Sequence, residues 1–118
     1  MKRDPLVYID DILESIERID GYVRGMSFEE FRNDRKTFDA VVRNIEVIGE
    51  AVKRIPKTIT AAYPDLPWSD AAGMRDVLIH DYPDIVMDEI WTTARENLPP
   101  FKQQLLEVKR DVETAAGD

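Results

Sequence analysis

The sequence predicts an all-α bundle of about four or five helices, folded as a single domain over residues 1–118. Three observations carry this. Apolar residues recur at steps of three and four through several long stretches, the period of a helix with one buried face. No stretch shows the strict apolar–polar alternation of a half-buried strand. A length of 118 residues, 43% of them hydrophobic, suffices for one packed core, and no internal repeat or low-complexity block divides it.

Taken in order, Asp4 and Pro5 form a cap and first-turn pair. Leu6, Ile9, Leu13, Ile16, Ile19 and Val23 then recur at helical spacing until Gly25. Asp10, Glu14 and Arg18 occupy the opposite face, with Glu14 placed four residues before Arg18 for a surface ion pair. Ser27 to Glu30, "SFEE", has the spacing of a capping box and opens a short helix, followed by "RNDRK" as an irregular link. Phe38, Val41, Val42, Ile45, Ile48, Val52 and Ile55 stripe the next long helix, which Pro56 ends.

That helix carries a second, thinner stripe of Ala40, Val47 and Ala51, expected where a helix is buried on two sides or meets a two-fold seam. Gly49 is expected to permit a close crossing there. "PKTITAAYPDLPWSD" reads as loop with at most one helical turn, because prolines stand at 56, 64 and 67. Ser69 or Asp70 caps a helix with Ala71, Met74 and Leu78 on one face, running to about His80, and Pro83 biases Tyr82 away from helical geometry. Asp84 restarts a helix through Ile85, Ile90 and Trp91. "NLPP" is expected to kink or break it before a last segment with Phe101, Leu105, Leu106 and Val112, its tail frayed from about residue 114.

Composition removes several functions. The chain has no cysteine, which excludes disulfide frameworks, thiolate zinc sites and cysteine nucleophiles, and suggests a reducing compartment. The opening "MKRDPLVYIDDIL" puts aspartates where a signal peptide needs an apolar core, and no apolar run has membrane-spanning length, so a cytoplasmic location is expected. With 16 Lys and Arg against 24 Asp and Glu, the net charge of −8 opposes non-specific binding of polynucleotides. Any RNA must meet a local cluster of cations.

"RDVLIHDYP", residues 75–83, holds the chemistry. It contains the only histidine, with an arginine five residues before it and a tyrosine two residues after. Residues five apart on a helix are separated by roughly 140° and about 7.5 Å of rise, so Arg75 and His80 do not share a stripe. An arginine fork suits a phosphate, and an imidazole near a helix C-terminus can give or take a proton near neutrality. RNA carries its own nucleophile in the 2′-hydroxyl, so charge stabilisation and proton transfer suffice to cleave it. A capping histidine, a surface-paired arginine and a wedged tyrosine would satisfy the same spacing without any chemistry.

"GMRDVLIHDYPDI", with "NIEVIGEAVKRIP" upstream and "IWTTARENLPP" downstream, resembles the HEPN toxins of the HepT type, known also as the DUF86 family. The likeness covers nearly the whole chain. The family motif of Arg, four residues, His, one residue and Tyr falls on Arg75, His80 and Tyr82, with the polar Asp76 directly after the arginine. The resemblance implies a HEPN-type helical homodimer whose two motifs line one cleft, and a metal-independent ribonuclease that stops growth. It further implies a minimal nucleotidyltransferase (MNT) antitoxin that uses ATP to attach AMP to Tyr82, the toxin itself needing no cofactor. A composite cleft would let Arg75 of one protomer meet His80 of its partner. The other reading is a non-catalytic helical module that binds, and is modified by, such a nucleotidyltransferase.

Other groupings are weaker. Asp10, Glu14 and Glu17 share a helix, but no Glu-x-x-His partner exists to complete a metal site. Trp68 and Trp91, flanked by apolar residues, read as core anchors. Arg43, Lys53, Arg54 and Lys57 could extend a basic groove, although Glu46 and Glu50 alternate with them and favour a solvated ion-pair face. No phosphate loop is present, and no serine or threonine triad can be assembled without the one histidine.

Overall fold

The computed structural model describes residues 4–73 and 83–117, and every element among them is helical. Helix α1 spans Pro5–Val23. It starts where Asp4 Oδ1 accepts the Leu6 N–H at 2.9 Å and Pro5 occupies the first turn, which needs no donor. It stops at Gly25, whose φ of +78° only glycine adopts without strain. Its inward stripe of Ile9, Ile12, Leu13, Ile16, Ile19 and Val23 is buried, each such side chain contributing about 1.5–3 kcal/mol.

Helix α2, Phe28–Arg32, begins with the expected capping box. Ser27 Oγ accepts the Glu30 N–H at 3.1 Å, and Glu30 Oε1 accepts the Ser27 N–H at 3.0 Å. The link that follows is shorter than the sequence suggests. Asp34 accepts the Thr37 N–H and hydroxyl at 3.0 and 2.8 Å and starts helix α3, Arg35–Arg54, inside the expected "RNDRK" irregularity. Phe38, Val41, Ile45, Ile48, Val52 and Ile55 are buried as predicted, and Val42 is partly so. Of the second stripe only Ala51 is buried; Ala40 and Val47 are half-exposed. Gly49 is buried.

Pro56 caps α4, Lys57–Ala62, a helix somewhat longer than the single turn expected. Tyr63, forced toward extended geometry by Pro64, ends it. Residues 68–73 are helical and form α5. Helix α6 spans Pro83–Thr92 and passes into a π turn, Thr93–Asn97, then α7, Leu98–Gly117. The expected kink or break at "NLPP" is instead this widened turn. The Leu98 N–H bonds the Thr93 carbonyl, five residues back. Pro99 and Pro100 lack the N–H groups that a tight ladder would need, and a wider turn relieves the clash of their rings with preceding carbonyls.

Along α7 the packed positions are Leu98, Phe101, Leu105 and Val108, with Val112 partly buried. Leu106, expected on that stripe, is 36% exposed, because one step beyond Leu105 rotates a side chain about 100° off the buried face. Helical geometry continues to Gly117.

Helix α1 packs against both α3 and α7, while α2 and α6 pack against α3. Tyr8 and Arg54 line one groove, so the start of α1 meets the end of α3. Lys102 reaches Glu17 and Lys109 reaches Asp10, each at 2.9 Å, which sets α7 antiparallel to α1. None of the helices, among the described residues, is long and apolar enough to cross a membrane.

Candidate functional site

Arg75, Asp76, His80 and Tyr82 lie outside the described residues. The frame on either side of them is described. On the N-terminal side, Trp68 opens α5. Its indole N–H donates to the Tyr63 carbonyl at 2.9 Å, and its ring meets Phe101 of α7 edge-on at 6.0 Å. The Tyr63 hydroxyl donates to Asp111 Oδ2 at 2.8 Å. That bond to a carboxylate, with some burial, holds the Tyr63 phenol above its ordinary pKa of 10.0. Tyr63, Trp68, Phe101 and Asp111 thus clasp the loop before α5 onto α7, so the chain enters 74–82 from a fixed point.

On the C-terminal side, α6 begins at Pro83, one residue beyond Tyr82. It is anchored by Ile90, fully buried, and by Trp91, whose ring lies 5.1 Å from Phe31 and 6.0 Å from Phe28. Arg95 covers the Trp91 ring at 5.3 Å. Both tryptophans are therefore half-buried packing elements, as expected.

Among the described residues, two cavities border this frame and another lies apart from it, between α1 and α3. One of 360 Å³ lies between α3, α5 and the π turn, with Ile45, Ile48, Ala71 and Phe101 among its lining and Asp70 and Glu96 adding acid. A second of 360 Å³ is lined by Phe28 and Arg32 of α2 and by Met87 and Asp88 of α6. The third, 460 Å³, runs between α1 and α3 past Tyr8, Arg43, Glu46, Glu50 and Arg54. Its cations face glutamates, Arg43 to Glu46 at 3.9 Å and Arg54 to Glu50 at 3.6 Å, which agrees with a solvated ion-pair face rather than a basic groove. The three carboxylates weighed as metal ligands each hold a cation: Asp10 with Lys109, Glu14 with Arg18 at 2.6 Å, and Glu17 with Lys102.

Sequence reasoning missed the Tyr63–Asp111 bond, which joins residues 48 apart, and the sharing of one cavity by Arg32 and Asp88. Helical periodicity carries no signal for either, since both depend on which helices become neighbours.

Comparison with known proteins identifies the class. The family model described as "Ribonuclease HepT-like" matches residues 12–108. The chain belongs to this HepT-like ribonuclease family. A protein of Methanocaldococcus jannaschii named as a candidate RNase is 43% identical over 112 residues, covering 95% of this chain and 93% of its own length. One of Thermococcus cleftensis, named as a probable ribonuclease HepT, is 40% identical over 110 residues, covering 93% of this chain and 100% of its own length. Another candidate RNase, from Caldanaerobacter subterraneus, is 39% identical over 106 residues, covering 90% of this chain and 95% of its own. No solved structure matches closely enough to count as a relative.

Proposed function

We propose that this chain is the ribonuclease toxin of a toxin–antitoxin pair. Arg75 stabilises charge building on the scissile phosphate. His80 moves the proton as the 2′-hydroxyl attacks phosphorus and the 5′-oxygen leaves, and Asp76 supports the arginine. No metal ion takes part. Two protomers contribute to one cleft, which brings together an arginine and a histidine that a single helix would hold apart. A nucleotidyltransferase antitoxin silences the enzyme by transferring AMP from ATP to the Tyr82 oxygen with release of pyrophosphate. The bulky anion then occupies the cleft and offsets the charge of Arg75.

The observation that carries this reading is the ribonuclease family match over 12–108, which spans the whole Arg75–Tyr82 motif. The anchored ends of α5 and α6 support it, because a proton-transfer site needs a rigid scaffold on both sides. The test is incubation of the purified protein with RNA in EDTA. Cleavage is expected, with a 2′-deoxynucleotide at the scissile position and the His80→Ala variant each abolishing it while the helical circular-dichroism spectrum stays unchanged. Cleavage that required added divalent ions, or that survived His80→Ala, would overturn the mechanism.

A further inference from the structure

The second cavity has features that the proposed chemistry does not use. Its wall is Phe28, which rests on Trp91, which in turn carries Arg95 on its ring. Arg32 and Asp88 stand in the same cavity, both exposed. Arg18, Arg24, Arg35, Arg43 and Arg54 each hold a carboxylate, but among the described residues Arg32 and Arg95, like Arg110 on α7, have none within ion-pair distance. Two guanidiniums with no carboxylate partner among the described residues, beside an aromatic stack, offer what a single-stranded nucleic acid requires: cations for the backbone and a π face for a base.

We infer that the cavity between α2 and α6 holds one unpaired guanosine of the RNA substrate, a deepening that rests on the ribonuclease reading above. Position fits this: Met87 and Asp88 lie little more than one helical turn, about 6–8 Å, along α6 beyond Pro83, the first described residue after the motif. The base stacks on the Phe28 and Met87 wall. Its flanking phosphates meet Arg32 and Arg95, the latter keeping its place over Trp91. Asp88 selects the base, because an ionised carboxylate only accepts hydrogen bonds and repels phosphate. Guanine alone among the RNA bases presents two adjacent donors, N1–H and the N2 amino group, on its Watson–Crick edge. Adenine and cytosine place an acceptor beside their one amino group, and uracil flanks its one donor with two carbonyls.

The test uses fluorescence anisotropy with labelled uridine oligonucleotides carrying one central guanosine, inosine or adenosine, bound to the His80→Ala protein so that the RNA stays whole. Guanosine is expected to bind about tenfold tighter than inosine, which lacks the N2 amino group, and than adenosine. Asp88→Asn should erase that preference. Arg32→Gln should weaken all the oligonucleotides alike and lower the salt slope by about one. Equal binding of the three, no effect of Arg32→Gln and Arg95→Gln, or competition by free 5′-GMP as strong as by the oligonucleotide would each overturn the inference. Cleavage by the unsubstituted protein on the same strands separates the two readings. Cleavage with no preference for guanosine sinks this inference alone, whereas selective binding without cleavage sinks only the ribonuclease.

Discussion

One phenol illustrates how single residues hold the scaffold. Tyr63 keeps its proton because the hydroxyl donates to Asp111, and its pKa is raised. A group whose folded pKa exceeds its unfolded value stabilises fully below the unfolded pKa, near 10 here, and loses that contribution as pH rises through the folded value. Tyr63→Phe is therefore expected to lower stability by about 0.5–1 kcal/mol at neutral pH, the net worth of one exposed hydrogen bond, with the gap from wild type closing in strong alkali. Urea titrations across pH check this. Asp34 has the opposite sign: the Thr37 N–H and hydroxyl bonds hold its carboxyl below the ordinary range. Its contribution is present above the unfolded pKa of about 3.9 and disappears as pH falls through the depressed folded value. The Tm of Asp34→Ala should sit below that of wild type at pH 7 and converge with it in acid. The capping box at Ser27 was legible because both of its partners lie within four residues. Asp34 obeys the same rule, but its neighbours Arg32, Asn33, Arg35 and Lys36 read as a charged link and hid it.

Among the elements, α7 shows what periodicity can and cannot give. Phe101, Leu105 and Val112 follow from spacing, whereas Leu106 is apolar, adjacent and exposed. Leu105→Ala removes a fully buried side chain and should cost about 2–5 kcal/mol, while Leu106→Ala should change stability by less than about 0.5 kcal/mol. Comparable losses in denaturant titrations of the two variants would mean that α7 presents another face. The two prolines suggested a break, since from sequence their ring clashes are plain and the relief offered by a wider turn is not. Ile90, Ala94 and Leu98 do hold a hint: two successive steps of four drift about 80° around an ideal helix, a surplus that a widened turn absorbs.

For the whole molecule, acidity and topology decide the behaviour. Lys102–Glu17 and Lys109–Asp10 fasten α7 to α1 across the surface, and Asp10 raises the Lys109 pKa, chiefly through their hydrogen bond. Such exposed pairs contribute about 0.2–1 kcal/mol each and are screened by salt. The Lys102→Ala/Lys109→Ala double variant should be measurably less stable than wild type at low ionic strength, and the difference should shrink in about 1 M salt. The helical class was legible because it follows from local periodicity, while the proposed reacting groups, Arg75 and His80, are read from the sequence alone and lie outside the described residues. What puts Arg32 and Asp88 on one cavity, or brings Tyr63 to Asp111, was not legible, because each joins segments whose proximity is settled only by packing of the complete chain.

The π turn bears on how kindred sequences vary in length. Most surface connections tolerate gain or loss of an amino acid, but here the downstream helix inherits its rotational phase from the five-membered loop at Thr93–Asn97. Losing one position would close this turn to an ordinary α turn, whereas gaining one more would swing Phe101, Leu105 and Val108 by roughly 100°, unseating the seam with α1 and the clasp on Trp68 together. Insertions among kin should accordingly avoid this spot and gather in the links around α4.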